Sequence, residues 1–126
     1  MSLSNTFETT TLKWLFTTDS VTRPTAWYLA LYTVAPGEGG GGTECSGTSY
    51  ARQSFTMTVS GDTATNAANI EYSTAGSSWG TLVAVGIFDA VSGGNLIAYG
   101  NLTTSKTVDT GDVFRIPAGD LDVTLN

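Results

Sequence analysis

Between Trp79 and Asn101 the chain reads Trp-Gly-Thr-Leu-Val-Ala-Val-Gly-Ile-Phe-Asp-Ala-Val-Ser-Gly-Gly-Asn-Leu-Ile-Ala-Tyr-Gly-Asn, and this stretch constrains the fold more than any other. Residues 82–88 and 95–99 are short, apolar and rich in β-branched or aromatic types, the signature of strands. Asp89 to Gly94 between them supplies the glycine and serine that a reversing chain needs. The stretch therefore predicts a hairpin in the core of an all-β domain.

Composition agrees. In 126 residues, 40% are hydrophobic and only 13% are charged, so threonine, serine and glycine must fill most polar positions. That balance suits strands and extended loops better than a helical bundle, whose exposed faces carry Glu, Lys and Arg. The length predicts a single domain over residues 1–126 with one core. A net charge of −6 would repel a phosphate backbone, which argues against nucleic acid as a partner. No run approaches a membrane span and the first residues lack a signal-peptide pattern, so the expectation is a soluble chain made in the cytoplasm, without a membrane partner. The lone Cys45 leaves no internal disulfide and no multi-cysteine zinc site.

Residues 1–20 form a segment of their own. Asn5 and Glu8 fit a capping box, and Leu12, Leu15 and Phe16 follow helical spacing, with Phe7 and Trp14 extending or flanking that stripe. A short helix to about Thr17 is predicted, which either covers one end of the sheet or packs on a neighbouring subunit. The threonines at 9, 10 and 11 weaken its intrinsic helicity, so it should depend on docking. Residues 26–33 are nearly all apolar and predict a central strand. Residues 35–48, with Gly39, Gly40, Gly41 and Gly42, predict a mobile loop that either merely connects the sheets or becomes ordered against a neighbour.

From Tyr50 to Val59, alternation places Phe55, Met57 and Val59 on a buried face. Gly61 and Asp62 turn the chain into an edge segment at 64–67. Ile70 with Tyr72, residues 113–116 and residues 121–125 complete the pattern. The total is a β-sandwich of about seven to eight mostly antiparallel strands with a short N-terminal helix.

Catalytic chemistry has little to stand on. Histidine is absent, which removes the commonest general base, and the glycine run is not followed by the residues of a phosphate loop. No carboxylate pair stands out for glycoside hydrolysis. Asp109, Asp112, Asp120 and Asp122 could attract calcium, but their spacing matches no calcium loop and Asp109 to Asp112 reads more simply as a polar turn. No cofactor and no metal is expected. Trp79, flanked by Ser77, Ser78 and Gly80, is the tryptophan expected to be exposed, either as a sugar-stacking face or as an anchor for a subunit contact.

Several segments in fixed order carry a resemblance. Ser4 to Phe16, Tyr28 to Tyr32, Pro36 to Glu38, Glu44 to Gly47, Tyr50 to Arg52, Trp79-Gly80, Gly86 to Ala90, Gly93 to Leu96 and Gly119 to Leu121 together resemble a family of small tailed-bacteriophage virion proteins, often labelled tail fibre proteins. The resemblance implies a non-enzymatic, multi-copy component of a virion, made in the bacterial host cytoplasm, with other virion proteins and copies of itself as partners. One domain of this size is too small to be a whole fibre. A tail or fibre-attachment (collar or adaptor) protein, a tail-tip component and a capsid decoration protein all remain compatible; a carbohydrate-binding module or an enzyme is the alternative from another class. The preferred subunit contacts are Phe7, Trp14, Gly39, Gly40, Gly41, Gly42 and Trp79.

Overall fold

A computed structural model describes residues 1–125. In chain order the elements are β1 (Ser2–Leu3), α1 (Asn5–Phe16), β2 (Tyr28–Val34), β3 (Thr43–Glu44), β4 (Gln53–Ser54), β5 (Met57–Ser60), β6 (Thr63–Asn66), β7 (Ile70–Glu71), β8 (Gly80–Phe88), β9 (Leu96–Val108), β10 (Arg115–Ile116) and β11 (Asp122–Thr124). The fold is all-β with one short N-terminal helix, as expected. Its strands are more numerous and shorter than the pattern suggested, and five have only two residues.

The large sheet runs β1-β9-β8-β2-β3, with β4 also on β2, and every pairing is antiparallel. The hairpin of β8 and β9 is its centre. β9 extends well beyond the expected residue 99, through a threonine-rich stretch whose polar side chains hid its extended conformation. Two smaller sheets, β10-β7 and β11-β6-β5, form the opposing layer. The main core lies between the layers, with Leu29, Leu31, Leu82 and Ile87 from one side and Ile70, Tyr72, Phe114, Ile116 and Leu121 from the other. Full burial of one such aliphatic side chain contributes roughly 2 kcal/mol.

Three local expectations change. Residues 50–59 do not form one strand: Phe55 N–H donates to Trp27 O in the large sheet, while Thr56 O accepts from Ala67 N–H beside the small one. The chain crosses between layers there, which takes Val59 past the core to 75% exposure. Residues 64–67 are not at an edge, because β6 is flanked by β5 and β11. The glycine run is folded back on itself: Gly37 and Gly40 exchange backbone hydrogen bonds of 2.8 and 3.0 Å, and Thr43–Glu44 then pairs with β2. Gly40, Gly41 and Gly42 all have positive φ, so the freedom that predicted mobility instead permits a tight reversal.

Candidate interaction surface

Helix α1 starts one residue earlier than the capping box implied. Ser4 is the N-cap, and its Oγ accepts from Phe7 N–H at 3.3 Å. The same hydroxyl donates to Leu96 O, Ser4 N–H donates to Ile97 O, and Asn5 N–H donates to Glu38 O. The first turn is thereby fastened to both β9 and the glycine turn. The threonines are used locally: Thr10 and Thr11 donate to Thr6 O and Phe7 O, and Thr17 closes the C-terminus on Lys13 O.

Beyond that first turn the helix is not docked on its own domain. None of its residues is buried, and Leu12, Trp14, Leu15 and Phe16 are 58, 67, 56 and 77% exposed. At 100° per residue, Leu12, Leu15 and Phe16 form one stripe while Phe7 and Trp14 lie roughly 140° round the helix from it. Phe7 and Trp14 also line a groove of about 310 Å³ with Thr10, Val21 and Pro24. A helix that leaves several large apolar side chains exposed is stabilised when other apolar groups cover them.

The other expected contacts fare differently. Trp79 is only 4% exposed, which corrects the expectation of an exposed anchor. Its Nε1 donates to Thr48 O at 2.9 Å, and its ring meets Tyr50 and Tyr72 edge-on at centroid distances of 5.5 and 6.3 Å. Small, polar flanks suggested a surface loop; the aromatic partners that bury Trp79 come from distant parts of the chain. Gly39 and Gly41 are exposed at the tip of the closed turn, next to the start of α1.

The strongest electrostatic feature of the chain is internal. Arg52 and Glu44 form an ion pair at 2.8 Å, and Tyr50 donates to Glu44 Oε2 at 2.7 Å while its own oxygen accepts from Leu31 N–H. Burial raises the Tyr50 phenol, the Glu44 hydrogen bond adds to that, and its pKa lies far above the ordinary value. Together the three side chains clamp β3 and the segment after it to β2. Among the described residues no three His, Cys, Asp or Glu side chains gather as a metal site. Asp112 instead accepts from Asp109 N–H, the polar turn that the sequence suggested. No described helix is long and apolar enough to cross a membrane.

No curated protein matches the chain significantly. The family described as podophage GP4 fiber I protein gp80 matches residues 2–124. With nearly its whole length matched, the chain belongs to this family of phage fibre proteins.

Proposed function

We propose that the chain is a non-enzymatic, multi-copy structural subunit of a phage tail, acting where fibres attach, and that α1 is the surface through which one copy holds the next. The supporting observation is the exposure of Leu12, Trp14, Leu15 and Phe16 on a helix with no buried residue, in a member of a fibre family. Covering these side chains with a different patch of the next copy, as head-to-tail contacts in a ring do, removes apolar area from water on both subunits at once. Repetition around a closed ring strengthens each such contact.

The test is the absolute mass of the protein by light scattering over a concentration series, for the natural chain and for Trp14→Ser with Leu15→Ser. A stable oligomer that falls to a folded monomer in the double variant, with its circular dichroism spectrum retained, supports the reading. A hexamer or dodecamer supports a ring on the tail, whereas a trimer favours capsid decoration. A monomer at every concentration, or an oligomer indifferent to both substitutions, overturns α1 as the contact.

A further inference from the structure

The outer face of the large sheet, turned away from the main core, carries a second small cluster of Ala30, Tyr32 and Ala84 with Val83 and Phe88 against it. Gly86 lies beneath this cluster. A Cβ on Gly86 would sit 2.9 Å from Tyr32 Cε1, 3.0 Å from Leu96 Cδ1 and 3.4 Å from Phe88 Cε1. The missing side chain is what lets these three converge on one point. Above them, the start of α1, the glycine turn and the β8–β9 loop enclose a cleft of about 330 Å³. The Phe88 ring is held by the Arg52 guanidinium, whose central carbon is 3.7 Å from the ring centroid.

Tyr32 is 4% exposed, yet its hydroxyl has no hydrogen-bond partner among the described residues. Tyr50 and Tyr72 differ, since their phenols donate to Glu44 and to Leu29 O. No side-chain oxygen or nitrogen sealed from solvent lacks a partner among the described residues, so the Tyr32 hydroxyl reaches solvent, and Tyr32 is among the residues that line the cleft. Burial, with the nearby Glu44 charge, raises its pKa and keeps it a donor at neutral pH. An almost buried polar group with an unused donor favours a ligand that supplies an acceptor.

The remaining lining limits the ligand. Phe88 and Leu96 offer apolar surface, while Thr6, Glu38 and Asn95 bring oxygen and nitrogen to the rim. No Lys or Arg lines the cleft, and Arg52 nearby is taken up by Glu44, Ala90 O and Gly93 O. An anion would find no cation and would face the Glu38 carboxylate. A pyranose ring has an apolar C–H face and an edge of neutral hydroxyls that both donate and accept, and the volume is at the small end of the range for ligand pockets.

We propose that this cleft binds a single neutral sugar residue, its apolar face on Phe88 and Leu96 and one hydroxyl accepting from Tyr32. The proposal does not depend on how copies assemble. The test is saturation-transfer NMR on the full chain with glucose, galactose, mannose and N-acetylglucosamine, each at millimolar concentration, and with glucuronate as the anionic comparison. At least one neutral sugar should receive saturation while glucuronate receives none. Tyr32→Phe should weaken that sugar about tenfold without lowering the melting temperature, because the lost hydroxyl has no partner in the fold. Val59→Ser, on exposed β5 and outside the cleft, should leave the affinity unchanged. Absence of transfer to every neutral sugar overturns the proposal, as does an affinity indifferent to Tyr32→Phe. Concentration-dependent shifts of Tyr32 and Phe88 that no sugar alters would assign the cleft to a second copy and overturn it equally.

Discussion

Arg52 holds Glu44 in a forked grip, with Nε 3.0 Å from Oε2 and Nη2 2.8 Å from Oε1, while Nη1 reaches across to Ala90 O and Gly93 O at 2.9 and 2.8 Å. One guanidinium thus joins the β3–β4 segment to the β8–β9 loop. Its side chain is 8% exposed and that of Glu44 is 28% exposed. Arg52→Ala would strand a half-buried carboxylate and two carbonyls, at a cost of about 3 kcal/mol. Denaturant melts should show it, and Arg52→Lys should recover little, since an ammonium lacks the fork.

Acid should weaken the same clamp. Burial alone raises the Glu44 carboxyl, but the hydrogen bonds from Arg52 and Tyr50 and the Arg52 charge outweigh it, so the pKa lies below the ordinary 4.5. A lowered folded-state pKa stabilises fully above the unfolded value and is lost as pH falls through the folded one. The melting temperature should therefore decline as pH drops below about 4.5, the ordinary glutamate value. Glu44→Gln should start lower and fall less steeply. Some slope should persist, because Asp89, lowered chiefly by the Asn95 backbone N–H, responds in the same direction.

Trp79→Ala should cost about 4 kcal/mol, the range for a large aromatic removed from a packed core. Trp79→Phe keeps most of the packing but removes one of the two donors to Thr48 O, which retains Gly76 N–H, a loss of about 1 kcal/mol. Gly47→Ala should also destabilise, since its Cβ would lie 2.2 Å from Trp79 Cδ1. Thermal melts that leave all three variants as stable as the natural chain would contradict the buried placement.

Within the glycine turn, position decides the outcome. Gly42 has φ +70° and an added Cβ would stand 2.4 Å from Val34 O, so Gly42→Ala should lose about 2 kcal/mol or more. Gly39 has no atom within 4 Å of an added Cβ and does not have positive φ, so Gly39→Ala should change stability by less than about 1 kcal/mol. Equal melting temperatures for the two variants would contradict the closed turn.

Ser4→Ala removes both the cap on Phe7 N–H and the bond to Leu96 O, about 2 kcal/mol together. The first turn then keeps only its backbone bonds to Ile97 O and Glu38 O and no residue of α1 is buried, so its circular dichroism signal at 222 nm should fade before the sheet melts. Coincident loss of helix and sheet would mean that α1 is held by more than its first turn.

The sequence by itself determined the β8–β9 hairpin, the central strand β2 and the short N-terminal helix, because each is written in local periodicity and turn chemistry. Residues 82–88 and 95–99 needed only each other, and Leu29 to Tyr32 were apolar enough to be central in any sheet. Tertiary structure alone decided where Trp79 went, since its burial depends on Tyr50 and Tyr72, which spacing along the chain does not bring near. It also decided that the glycine run closes as a turn, because the Gly37–Gly40 exchange is locked by β3 on one side and by Asn5 on the other. The undocked helix and the Tyr32 cleft belong to the same class. Helical spacing marks an apolar stripe but not what covers it, and a phenol in a strand becomes a free donor only when the elements around it leave it without a partner.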